Sequence, residues 1–113
     1  MIKIYHNPRC RKSRAGLQYL QDKGIQPIII YYLKDQLGVD EIREILQLLN
    51  IPAADLVRTQ EDLYRKQLKG KQFTEEEWIR ILSSNPNLIQ RPIVVKGHKA
   101  IVADPPARMD CWF

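Results

Sequence analysis

Along this chain the spacing of apolar positions changes several times, and each change marks an element. "IKIY" (Ile2–Tyr5) reads as a short strand, followed by a loop, "HNPR", in which Asn7 and Pro8 are turn formers. From Cys10 onward Leu17 and Leu20 recur at helical spacing, and Gly24 stands where a helix would stop. "PIIIYYL" is a continuous apolar run of β-branched and aromatic residues, which predicts a strand buried on both faces beside a parallel neighbour. The first third is therefore a β-α-β unit with a right-handed crossover.

The middle of the chain follows a different period. Ile42, Ile45, Leu46 and Leu49 in "DEIREILQLLN" lie on one helical face. "AADLVRTQEDLYRKQL" contains no strand-like run, and "TEEEWIRILSSNP" opens with Thr74 and Glu77 at capping-box spacing, ahead of Trp78, Ile79 and Leu82. These segments form a helical insertion at about 38–86, too small to count as a domain of its own. Alternation then returns in "RPIVV" and "KAIVA", joined by "KGH" with Gly97 in the turn, a hairpin signal. "DPPARMDCWF" carries prolines suited to a final helix N-terminus. The order β-α-β, helices, β-β-α is the thioredoxin-like arrangement, an α/β fold with a mixed four-stranded sheet and flanking helices in one domain, 1–113.

Composition narrows the partners. At 113 residues the chain holds one core rather than two. The formal charge of +5 raises nucleic acid as a partner, but the densest basic cluster is local and no aromatic stacking strand accompanies it, which argues against that class. No apolar run approaches the roughly 18 residues that span a bilayer, and "MIKIYHNP" lacks a signal-peptide core, so the chain reads as cytoplasmic and free of the membrane. The two cysteines, Cys10 and Cys111, are far apart and neither has a Cys or His at zinc-ligand spacing. Separate thiols in a reducing compartment fit best, with no metal.

The chemistry concentrates in "IYHNPRCRKSR". Cys10 falls at the junction of a loop and a helix N-terminus, where unpaired N–H groups and the helix dipole stabilise a thiolate and bind anions. Arg11, Lys12 and Arg14 stand in a first turn that usually prefers acids, each costing about 0.3–1 kcal/mol unless an anion is bound. Ser13 is placed to donate a hydrogen bond to the sulfur. His6 is a loop organiser, a packed loop residue or a cation beside the thiolate. A Cys-x5-Arg phosphatase loop would need arginine where Gly16 stands, and a C-x-x-C dithiol would need cysteine where Ser13 stands. A second thiol must therefore come from elsewhere. Arg58 and Arg91 are distant candidates. Arg91 precedes Pro92, and a strand-opening proline in such a sheet is commonly cis and aims its neighbour at the cysteine loop.

These residues resemble the glutaredoxin-coupled arsenate reductase family, often called ArsC-type. "IYHNPRCRKSR", "LVRTQEDLY" and "LIQRPIVV" carry the resemblance, in matching order over essentially the whole chain. It implies Cys10 as the nucleophile toward arsenate, His6 and Ser13 as groups favouring its thiolate, and Arg58 and Arg91 as oxyanion ligands. It also implies glutathione as co-substrate and glutaredoxin as partner, with no bound cofactor. The chain departs from the pattern at Arg11, where well-characterised reductases have glycine, and at Asp104, where they carry a third arginine. An aspartate facing the anion would repel it by roughly 4 kcal/mol at 4 Å and an effective dielectric of 20. Arg108 would replace the lost charge only if the final helix turned it inward. Two alternatives stand beside this one. Spx-type regulators share the fold and bind RNA polymerase, many through a C-x-x-C switch that Ser13 interrupts here. The other is a family member acting on a different substrate.

Overall fold

The computed structural model describes residues 1–113, and the chain divides into two compact units, Met1–Asp35 with Arg91–Phe113 and Gln36–Gln90. In the first unit, β1 (Ile2–Tyr5), α1 (Arg11–Asp22), β2 (Ile28–Ile30), β3 (Ile93–Lys96) and β4 (Lys99–Val102) build a four-stranded sheet in the order β2-β1-β3-β4. β2 runs parallel to β1, with Lys3 opposite Ile28 and Tyr5 opposite Ile30, whereas β3 is antiparallel to both β1 and β4. This is the mixed sheet that the sequence order implies. Gly97 takes φ +61 in the hairpin turn, a conformation that a side chain disfavours. Ile4, Leu20, Val94, Ala103 and Met109 form a fully buried cluster between sheet and helices. Each large apolar side chain there stabilises the fold by about 1.5–3 kcal/mol.

Two expectations fail in this unit. "PIIIYYL" is not a strand buried on both faces: only Ile28–Ile30 pair, and they form an edge of the sheet with Ile28 45% exposed. An edge position leaves one side of the strand open, and the chain turns away at Tyr31. The final segment is a 3-10 helix, Pro106–Trp112, rather than an α-helix, with the cis Asp104–Pro105 bond ahead of it.

The second unit contains α2 (Val39–Leu49), α3 (Glu75–Ser84), 3-10 turns at Ala53–Leu56 and Pro86–Leu88, and a π-helical turn at Tyr64–Leu68. Ile42, Ile45 and Leu46 of α2 and Trp78, Ile79 and Leu82 of α3 are buried, following the apolar stripes in the sequence. Thr74 and Glu77 form the expected capping box. No helix is long and apolar enough to cross a membrane.

Candidate active site

β1 leads into the loop at residues 6–9, and α1 starts immediately after it with Cys10 as its N-cap. The loop is held from several directions. The His6 N–H donates to the Ile30 carbonyl at 2.8 Å, which ties the loop to β2, and the Cys10 N–H donates to the Asn7 carbonyl at 3.0 Å. Ser13 is completely buried, and its hydroxyl oxygen accepts the Asn7 N–H at 2.9 Å and lies 2.6 Å from His6 Nδ1. Arg14 Nη1 donates to the Pro8 carbonyl at 3.0 Å. Asn7 Oδ1 accepts the Arg9 N–H at 3.0 Å.

This network bears on His6 and Ser13. The His6 pKa lies below its ordinary value, first because burial disfavours the charged ring and then because the Arg14 cation is close. Burial and the Arg14 cation thus favour the neutral ring, held in the loop by Ser13. With the ring neutral, Nδ1 accepts the Ser13 hydroxyl proton in the Nε2–H tautomer, an assignment made from the hydrogen-bond network. The Ser13 hydroxyl is therefore occupied by His6 and Asn7, so the expected hydroxyl bond to sulfur is absent, and it is the Ser13 main-chain N–H that favours the thiolate.

Cys10 is half-buried, and its thiol pKa is lowered. Burial alone pushes it up. The Ser13 and Lys12 N–H groups and the Arg91 side chain, with its charge, favour the thiolate and outweigh that effect, although no capping bond to the sulfur forms. The Arg91–Pro92 bond is cis, and Arg91 reaches Cys10 from the end of β3. Gly16 makes this closeness possible: a Cβ there would fall 2.6 Å from Pro92 Cγ. Sequence spacing alone used Gly16 only to exclude a phosphatase loop; a small residue two turns into a helix beside a proline-opened strand was the available signal.

Asp104 is not simply an anion facing the site. Its carboxylate lies 3.1 Å from Lys12 Nζ, with both side chains partly exposed, so its charge is matched within the first unit. This pair is missed by sequence reasoning, although a first turn rich in cations and lacking acids hints at a distant partner. Arg108 is exposed, and its Nη1 donates to the Val102 carbonyl at 3.0 Å, so it does not replace a third arginine beside the sulfur. Arg11 is exposed on the first turn of α1. Cys111 lines a cavity with Met1, Lys96 and Lys99, at the end of the sheet where Ile2 pairs with Lys96. Cys10 follows the opposite end, where Tyr5 pairs with Ile93, so the two thiols are separated by the length of the sheet.

Arg58 belongs to the second unit. Its N–H donates to the Leu88 carbonyl at 2.7 Å, and its mostly buried guanidinium pairs with Glu61 at 3.3 Å. The first unit itself gathers Cys10, His6, Asn7, Lys12, Ser13, Arg14, Arg91 and Pro92 around one loop.

The thioredoxin-like sheet thus sets a cysteine at a helix N-terminus with a cis-proline loop beside it. The chain belongs to the ArsC family, whose model matches residues 5–110. It is 42% identical to an arsenate reductase of Haemophilus influenzae over 105 residues, covering 91% of this chain and 90% of that protein. It is 39% identical to the uncharacterized protein YfgD of Escherichia coli, covering 96% of this chain and 92% of that one. The solved structure of an arsenate reductase from Vibrio cholerae superposes with a TM-score of 0.89 at 35% identity, covering 95% of this chain and 92% of that chain.

Proposed function

We propose that this protein is an arsenate reductase-type thiol oxidoreductase in which the Cys10 thiolate is the nucleophile. The observation that carries the reading is the sulfur's environment: two main-chain N–H groups of α1 and the Arg91 side chain converge on it. The groups that hold a thiolate there also suit an oxyanion arriving at it. Attack on arsenate forms a sulfur–arsenic bond, and one arsenate oxygen leaves as water. Glutathione and then glutaredoxin supply the two thiols that are oxidised to a mixed disulfide as As(V) gains two electrons, and water then cleaves the sulfur–arsenic bond, releasing arsenite and the free Cys10 thiol. No second local thiol is required, which suits a chain whose Cys10 and Cys111 are at opposite ends of the sheet. Arg91 is the oxyanion ligand of the first unit in this proposal, and the enzyme works as a cytoplasmic protein.

The regulator reading, with RNA polymerase as partner, finds less support. A thiol pair at positions 10 and 13 is absent, and the Ser13 side chain is fully committed inside the loop. A coupled arsenate-reduction assay with glutathione and glutaredoxin tests the proposal. Cys10→Ser is expected to lower turnover by at least about a thousandfold. Turnover that survives this substitution would sink the mechanism. If Asp104 limits the site despite its pairing with Lys12, Asp104→Arg raises turnover.

A further inference from the structure

The Cys10 loop has two flanks. β1 lies between β2 and β3, so residues following β1 are bordered on one side by the segment after β2 and on the other by the segment before β3. Arg91 approaches Cys10 on the β3 side. On the β2 side, His6, Asn7, Arg9, Tyr31, Leu33 and Lys34 line an open cavity of about 460 Å³, within the range of small-molecule sites.

The composition of this cavity is selective. Tyr31 and Leu33 are 43% and 37% exposed, and the Tyr31 ring sits edge-on to His6 with centroids 6.0 Å apart. Isolated exposed apolar side chains are ordinary. Here they converge on one cavity together with two cations, Arg9 and Lys34, and no carboxylate lines it. A small ligand that fits has carboxylates for the cations and a flexible, partly apolar body for the aromatic and aliphatic wall. It also has reason to be adjacent to Cys10, because Arg9 is the residue before it.

We propose that this cavity is the subsite for the thiol co-substrate, a tripeptide thiol with two carboxylates, namely glutathione. The inference rests on the oxidoreductase reading above and adds where its second reactant binds. The oxyanion occupies the Arg91 flank, and the tripeptide occupies the Tyr31–Lys34 flank, with its thiol directed across the loop to the adduct on Cys10. The rigid loop, pinned by Ser13 to His6 and Asn7, fixes the relation between the flanks.

Titration of the isotope-labelled full chain with S-methylglutathione, followed by NMR, tests the subsite without any turnover. Saturable shifts are expected at Arg9, Tyr31, Leu33 and Lys34. Lys34→Glu is expected to weaken binding by about five- to tenfold, the scale of a reversed, partly screened ion pair, while Lys34→Arg retains it. In the coupled assay, Lys34→Glu raises the glutathione KM by a similar factor and changes the arsenate KM by less than about twofold. An absent titration, shifts confined to the β3–β4 hairpin, or equal affinity in Lys34→Glu would overturn the subsite. So would an unchanged glutathione KM with a raised glutaredoxin KM, which would make the face a protein-docking surface. Saturable binding here in a chain that reduces no arsenate would keep the subsite and overturn the arsenate reading.

Discussion

α1 and α3 begin in opposite ways. At the start of α3 the Thr74 hydroxyl accepts the Glu77 N–H at 3.1 Å, and the Glu77 carboxylate accepts the Thr74 N–H at 2.9 Å. Glu75, Glu76 and Glu77 fill the first turn, so the positive end of the helix meets negative charge from its own sequence. The Glu77 pKa is held below the usual carboxylate range, first by the Thr74 N–H and then by its hydroxyl. At the start of α1 nothing of the kind occurs. Cys10 makes no side-chain capping bond, and the first turn has no acid. The Ser13 and Lys12 N–H groups instead lower the thiol pKa without a capping bond. One terminus is completed by the chain, while the other carries the Cys10 thiol with its pKa lowered. The difference separates a helix end capped by its own sequence from one left without a cap.

The largest expected effect removes the distant cation from α1. Arg91→Met withdraws a charge-assisted hydrogen bond from the Cys10 sulfur and raises its pKa toward that of an ordinary thiol. Alkylation of Cys10 by iodoacetamide at pH 7 is expected to slow by about tenfold. The midpoint of the alkylation-versus-pH profile of Cys10 moves upward. An unchanged Cys10 profile would mean that the helix end alone sets the thiol.

A smaller effect exchanges the capping logic. Thr74→Ala is expected to lower stability by about 1 kcal/mol, read from the urea midpoint, because the Glu77 N–H loses its acceptor. Cys10→Ser has the reverse sign at acidic pH. Serine is a preferred N-cap and a neutral thiol is not, so a gain of about 0.5–1 kcal/mol is expected there. At higher pH the advantage shrinks. A folded thiol pKa below its unfolded value adds stability above the unfolded pKa, and that increment is lost as pH falls through the folded one. A Cys10→Ser variant less stable than wild type in acid would break the comparison.

What could be read from the chain follows the range of each interaction. The capping box, the Gly97 hairpin and the Cys10 loop are built from residues within a few positions of one another, and their patterns are explicit. β2 is different. An apolar run reports hydrophobicity but not rank in the sheet, and Ile28–Ile30 turned out to lie at an edge. Ser13 lies in the first turn beside Cys10, but its hydroxyl is taken by the buried His6 and by Asn7, a choice that local spacing does not encode. The Lys12–Asp104 pair joins positions at opposite ends of the sequence, and no local pattern encodes it. Arg91 was legible only because Pro92 marks a backbone geometry, the cis bond now seen.

The smallest effect transplants the charge of α3 onto α1. Arg11 is exposed in the first turn and makes no contact with the sulfur through its side chain, so Arg11→Glu changes the field at the helix end without disturbing the loop hydrogen bonds. On stability the sign is favourable: an acid in place of a cation there contributes about 0.3–1 kcal/mol at low ionic strength, read as a higher urea midpoint. On chemistry the sign is unfavourable, because the same negative charge opposes the Cys10 thiolate and any approaching anion. Iodoacetamide alkylation slows by a few fold, and both changes fade together as salt screens the exposed charge. A variant that gains stability while Cys10 keeps its full reactivity would show that the basic first turn is ordinary surface charge, with Arg91 and the main-chain N–H groups sufficient for the thiolate.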